Sequence, residues 1–180
     1  MSQSSSRSSR GYKRSFGGLI GALVAAFGVI AVVWGLTALQ HTEQPNPVHT
    51  VDYGDALKAA RREAPFAVLA PEPVPAGWRA TSVDYTTKGG DVTWHLGFLT
   101  RDGEYVGLEE GNVSKHDLLE AKTRADQPGK PVRADGQRWG TLTSSDGDET
   151  AIVRHARGVT TLVTGTATLE QLTTFAARLR

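Results

Sequence analysis

The chain has 180 residues, carries 20 Lys+Arg against 19 Asp+Glu, and contains no cysteine. That length has room for one ordinary core, and the near-cancelled charge argues against a nucleic-acid-binding protein. Without cysteine, disulfides, thiol catalysis and zinc–thiolate sites are excluded.

The charge is uneven along the chain. Residues 1–47 hold Arg7, Arg10, Lys13 and Arg14 against Glu43, a balance of +3, and the remainder holds 16 basic and 18 acidic residues, a balance of −2. Residues 1–15 are serine-rich and read as a disordered basic tail. Residues 16–39 then run 24 positions without a charge. A helix of that length covers roughly 36 Å against about 30 Å of hydrocarbon, so it reads as a transmembrane helix with some tilt. The run is too long for a signal peptide and ends without a convincing cleavage site, so an uncleaved anchor is expected. Basic residues before it and none close behind place the N-terminus in the cytoplasm and the rest outside a plasma membrane crossed once. Gly17, Gly21, Ala25 and Gly28 form a small-residue stripe that could pack on a second copy.

Residues 40–50 read as a polar linker held extended by Pro45 and Pro47, and residues 51–180 as the extracytoplasmic domain. Val51–Ala64 is a helix candidate, with Asp52 as its cap, Tyr53, Leu57 and Ala60 on one face, and Pro65 closing it. Val68–Leu69 would make a short edge strand. The stretch Pro71–Trp78 reads as a rigid crossing rather than a docking motif, its prolines lowering the entropy lost on folding and Trp78 dropping into the core. Period-two alternation follows through Thr81, Val83 and Tyr85, then Val92, Trp94, Leu96 and Phe98, then Val106 and Leu108, with Lys88–Asp91 and Arg101–Glu104 as turns. A helix begins at Ser114 as N-cap. The same order recurs: strands over Gln137–Ser144, Thr150–Ala156 and Val159–Thr166, then a helix whose Thr168 and Gln171 form a capping box. The fold class is therefore α+β, an antiparallel sheet with helices on one face. It is built as two pseudo-repeated halves of three strands and a helix, and an N-terminal transmembrane helix precedes it.

The run Val51–Tyr85, and within it Pro65–Phe66, Leu69, Pro71, Pro75, Gly77–Trp78–Arg79 and Thr81, resembles the signature of the actinobacterial domain-of-unknown-function family 4245. The resemblance implies a basic N-terminus, one transmembrane helix and a small α+β domain. It implies no activity. Val74 stands where a leucine is usual in that pattern.

The chemistry-bearing residues do not form a known motif. His41 and His49 flank the linker around Glu43, and His95 lies on the strand face opposite Trp94 and Leu96, where a solvated histidine is expected. His116 falls in a first helical turn, and His155 in a strand. Asp146, Asp148 and Glu149 suit a hairpin turn better than a calcium loop, and Glu109–Glu110 beside Asp117 and Glu120 read as a solvated acidic edge. No catalytic, cofactor-binding or metal-binding residue is assigned. The leading expectation is a non-catalytic envelope protein that presents an interaction or ligand-sensing domain and meets the bilayer through residues 16–39. Another envelope protein or a second copy is the partner this reading allows, and nucleic acid is not expected. The alternative is an envelope hydrolase with an acid/base site assembled from dispersed residues such as Asp84, His95 and Glu109. A third is a structural partner of a membrane complex.

Overall fold

β-Branched and aromatic residues alternating with polar ones suit a pleated surface buried on one side, and they build most of this domain. The computed structural model describes residues 49–180, so the expectations for the basic tail, the apolar run 16–39, the small-residue stripe and His41 lie outside the described residues. Among the described residues no helix is long and apolar enough to cross a membrane. Val48–Arg180 form one compact unit.

Helix α1 (Gly54–Glu63) leads to strands β1 (Arg79–Lys88), β2 (Asp91–Leu99) and β3 (Tyr105–Gly111), then helix α2 (Lys115–Lys122). Two short strands, β4 (Gln127–Pro128) and β5 (Val132–Ala134), precede β6 (Gln137–Thr143), β7 (Thr150–Ala156) and β8 (Val159–Gly165), and helix α3 (Leu169–Ala176) closes the domain. The eight strands form one antiparallel sheet in the order β1-β2-β3-β8-β7-β6-β4, with β5 pairing β6. The α+β class and the three main helices agree with the sequence reading, while β4 and β5 were not anticipated. Asp52 accepts from the Gly54 amide at 2.9 Å, but the N-cap residue of α1 is Tyr53. Ser114 caps α2 through the Asp117 amide, and Thr168 and Gln171 cap α3 reciprocally. The two-residue turn from β7 to β8 puts Arg157 and Gly158 both at positive φ, the geometry that matches the twist of a tight hairpin.

The helices do not share one face. Leu172 and Phe175 of α3 pack with Ile152 and Val163, and Ala60 of α1 joins the same core. Leu118 of α2 packs with Val153 and Leu162. Neighbouring strand residues point to opposite faces, so Leu162 and Val163 lie on opposite sides and α2 covers the side that α1 and α3 do not. The physical reason is that Ala151–Val153 and Leu162–Val163 are consecutive apolar residues, so these strands are buried on both faces. A two-fold axis normal to the sheet would carry β1–β3 onto β6–β8. It would also leave both following helices on one face, so the helices do not obey it.

The rigid crossing expected over Pro71–Trp78 belongs to a strap that starts before it. The predicted Val68–Leu69 edge strand is absent from the described sheet. Instead Ala70 and Arg180 exchange amide hydrogen bonds at 3.0 and 3.1 Å, and the Glu72 amide donates to Arg178 at 2.8 Å. Arg61 of α1 ties the strap down, donating from Nε to the Val68 carbonyl at 3.0 Å and from its terminal nitrogen to the Arg180 carbonyl at 2.7 Å. Trp78 is not fully inside as expected. It is half-buried and stacks on Phe175 at 5.5 Å between ring centroids, with an interplanar angle of 11°. Phe175 itself is completely covered.

This ordering predicts a graded response in a fragment of residues 48–180, which is expected to fold by itself and unfold in one transition. Phe175→Ala should cost about 3–5 kcal/mol, as loss of a buried aromatic does. Trp78→Ala should cost roughly half of that, since one face of the indole is already in water. Denaturant titrations of the two variants check it, and a larger loss at Trp78 than at Phe175 would contradict the packing.

Candidate functional site

Two carboxylates adjacent in β3 carry the polar chemistry of the domain. Alternation sends them to opposite faces, and both are buried, Glu110 to 1% exposure and Glu109 to 5%. The expected solvated acidic edge is therefore incorrect. Asp117 and Glu120, its other members, are exposed on α2. Helices and strap cover the sheet on both sides at this point, so each carboxylate must find its partners within the protein.

Glu110 faces the strap. Its Oε2 accepts from the Leu69 amide at 2.8 Å and its Oε1 from the Thr161 hydroxyl at 3.1 Å. The indole Nε1 of Trp94 donates to the Leu69 carbonyl at 3.1 Å. Both backbone groups of Leu69 are thus satisfied by side chains rising from the sheet. Register continues this row across the sheet: Tyr85 opposes Trp94, Trp94 opposes Glu110, Glu110 opposes Thr161, and Thr161 opposes Arg154. The Arg154 guanidinium lies over the Trp139 ring, 5.4 Å from its centroid. A cavity of about 560 Å³ opens between the strap and this row, lined by Phe66, Leu69, Glu110, Thr161, Arg154 and Arg157. A second, of about 220 Å³, shares Leu69 and Arg154 and extends over Trp139, Ala176 and Leu179. Burial pushes the Glu110 carboxyl up to about 7, against the opposing pull of its two hydrogen bonds and of Arg154 and Arg61.

Glu109 faces α2. His95 Nδ1 lies 2.6 Å from its Oε1, and Lys122 Nζ lies 3.0 Å from its Oε2. The other ring nitrogen of His95 is 2.8 Å from the Ser82 hydroxyl. A Cβ at Gly97 would run into that hydroxyl and into the Tyr105 phenol, so the glycine makes room for both. Burial raises the Tyr105 phenol, with the Glu109 charge adding to it. His95 is on the face expected for it, but its side chain is only 17% exposed, so it is not the solvated histidine foreseen. Asp84 is opposite His95 in register, is exposed, and accepts from Thr86 instead. The structure thus brings His95 and Glu109 together and leaves Asp84 out of their hydrogen-bond chain.

The remaining candidates are peripheral. His49 is exposed, His116 meets Glu120 at 3.7 Å in open solvent, and His155 bonds the Thr160 hydroxyl at 2.8 Å. Of the acidic hairpin, Glu149 turns inward to accept from Thr123 and Thr164 at 2.6 and 2.7 Å. Despite partial burial, these bonds hold its carboxyl below the usual range. Among the described residues no group of three or more His, Asp or Glu could hold a metal ion. Sequence reading missed Ser82, Lys122, Trp139 and Arg154. Parity held a signal for Arg154 and Glu110: each continues an apolar face, Ile152 to Arg154 and Val106–Leu108 to Glu110.

A family model described as "Protein of unknown function (DUF4245)" matches residues 12–179. The chain belongs to the DUF4245 family. No match was found among curated proteins. Membership in DUF4245 agrees with the resemblance carried by Val51–Tyr85 and assigns neither site a role.

Glu110 makes stability depend on pH. Its folded value is raised from 4.5 to about 7, so between these limits the folded chain keeps a proton that the unfolded chain has released. The Glu110 contribution is complete below about 4.5 and is lost as pH rises through about 7, by roughly 3 kcal/mol in total. Glu110→Gln, which imitates the protonated acid, should match the wild type near pH 4.5 and exceed it in melting temperature near pH 8. Parallel melting curves across that range would contradict this reading.

Proposed function

We propose that this chain is a single-pass membrane protein of the cell envelope whose domain, residues 51–180, stands outside the membrane and recognises a small ligand without catalysing a reaction. The uncharged run 16–39, the basic residues Arg7, Arg10, Lys13 and Arg14 before it, and the actinobacterial, membrane-anchored pattern implied by the family resemblance support the placement. The observation that carries ligand recognition is the cavity between strap and sheet. Apolar walls from Phe66 and Leu69 converge there on Glu110, Thr161 and Arg154, the combination of concave apolar surface and few placed polar groups that ligand sites use. The stripe Gly17, Gly21, Ala25 and Gly28 offers a docking face for a second copy or an envelope partner. The strand order supports reading β1–β3 and β6–β8 as duplicated meanders, β3 and β8 meeting at the centre.

Protease added to wall-stripped intact cells should digest residues 48–180 and leave a shortened anchor, and full protection of the domain would reverse the topology. Recognition predicts that a small-molecule extract of the native cells raises the melting temperature of the full chain and that Arg154→Gln abolishes the rise. An equal rise in both proteins would remove the cavity from the account.

A second reading, hydrolysis, is favoured by one observation. Ser82, His95 and Glu109 are linked in the order nucleophile, base and orienting carboxylate, the arrangement that activates a serine hydroxyl. The described cavities over Arg154 lie on the opposite face of the sheet, and catalysis would also need donors for an oxyanion. This reading predicts that a fluorophosphonate labels Ser82 in the wild type and not in His95→Ala. Absence of labelling in the folded wild type would eliminate it.

A further inference from the structure

The inner cavity over β6 and β7 holds two buried donors that none of its own acceptors, Asp135 and Gln137 included, satisfies. Trp139 is 3% exposed, and its indole Nε1 is buried without a hydrogen-bond partner. Arg154 Nε is likewise buried and unpartnered, and among the described residues Arg154 takes part in no ion pair. Buried donors in native proteins almost always have partners, so two unmade donors in adjoining side chains call for an acceptor from outside the chain. Both residues line the same 220 Å³ cavity.

The geometry restricts what that acceptor can be. Arg154 already covers the Trp139 ring, which leaves that indole face unavailable as a platform for stacking a sugar or a nucleobase. A guanidinium is planar and pairs well with a planar carboxylate. Asp135 lines the inner cavity, where Arg180 pairs with it at 3.0 Å, and Glu110 lines the adjoining one, so a doubly charged phosphate would meet more repulsion than a singly charged carboxylate. Leu69, Ala176 and Leu179 wall the inner cavity, while Phe66 and Val159 wall the outer one, and these surfaces suit an apolar body.

We infer that these two adjoining cavities, which share Leu69, Gln137 and Arg154, bind a small organic monocarboxylate with an apolar body, its carboxylate accepting hydrogen bonds from Arg154 and from the Trp139 indole. The inference rests on the ligand-recognition reading above and specifies its ligand class. Leu69 belongs to both cavities and is held by Trp94 and Glu110, so the strap forms one wall of the site and is pinned independently of any ligand.

The test uses the full chain in lipid nanodiscs, labelled with 5-fluorotryptophan, with the Trp139 ¹⁹F resonance assigned through Trp139→Phe. The probes are 4-phenylbutyrate, its neutral amide, and inorganic phosphate. Phenylbutyrate should shift the Trp139 resonance saturably, with the amide and the Arg154→Gln variant each weaker by about tenfold or more, as loss of a charge-assisted bond implies. Arg154→Lys, which keeps charge but loses the fork, should fall between. The Trp94 resonance monitors folding of every variant. Equal affinity for acid and amide would overturn the carboxylate class while leaving a ligand cavity in place. Competition by phosphate at similar concentration would overturn it in favour of a general anion site. A Trp139 resonance unmoved by all three probes would overturn the inference, and the extract experiment then decides separately whether the cavity binds anything else.

Discussion

A chain segment that crosses the face of a sheet has no ladder to satisfy its amides and carbonyls, and burying them unpaired is costly. This domain meets that constraint at Leu69. The carbonyl is taken by the Trp94 indole and the amide by the Glu110 carboxyl, both rising from the sheet beneath. Much else is arranged around that pair. Arg61 holds the adjoining Val68 carbonyl, the C-terminal residues pair with Ala70 and Glu72, and the cavity beside Arg154 exists because the strap stands off the sheet here. A buried carboxylate is thus a structural fastener and a wall of the proposed site at once. The two roles share one proton, which is why the acidity of Glu110 is a property of the fold and of the cavity together.

Much of the architecture was legible because it is local. Alternation set the three strands from Thr81 to Leu108, and turn glycines and caps set the joints, down to the reciprocal Thr168–Gln171 cap. The placement of α2 was not local. Its sequence offers one well-buried leucine, Leu118, and the surface it covers is announced only by consecutive apolar residues in β7 and β8. Reading Ala151–Ile152–Val153 and Leu162–Val163 as two-sided burial would have put a helix on each face. Val68–Leu69 was misread as an edge strand for a related reason. A pairing between Ala70 and Arg180 spans most of the domain's length, and no short-range pattern encodes it.

The candidate sites were legible only in part. His95 and Glu109 were singled out together, and the register of β2 against β3 places them side by side. Ser82 and Lys122 escaped because one joins through a displaced register, a bulge between Ala80 and Ser82, and the other through α2. Arg154 was not singled out, although it continues the apolar face begun by Ile152. Its significance lies in what surrounds it: the Trp139 ring beneath, Thr161 beside it, and a strap contributed from some 85 residues earlier in the chain. Site chemistry of this kind is a property of the assembled row across the sheet, and each member taken alone is unremarkable.

The bulge in β1 has a consequence for assembly. At ten residues, β1 is among the longest strands and closes one side of the sheet, and such an edge is normally an invitation to pair with another chain. Here the register slips between Ala80 and Ser82, and the Ala80 carbonyl is already occupied by the Val51 amide at 2.9 Å. Lys88 and Arg79 mark the two ends with charge. A second molecule arriving in extended form would find its hydrogen-bonding rhythm broken within three residues of the start. An added strand could therefore follow this edge only along Ser82–Lys88, with the Arg79–Ala80 end closed to it by the Val51 contact.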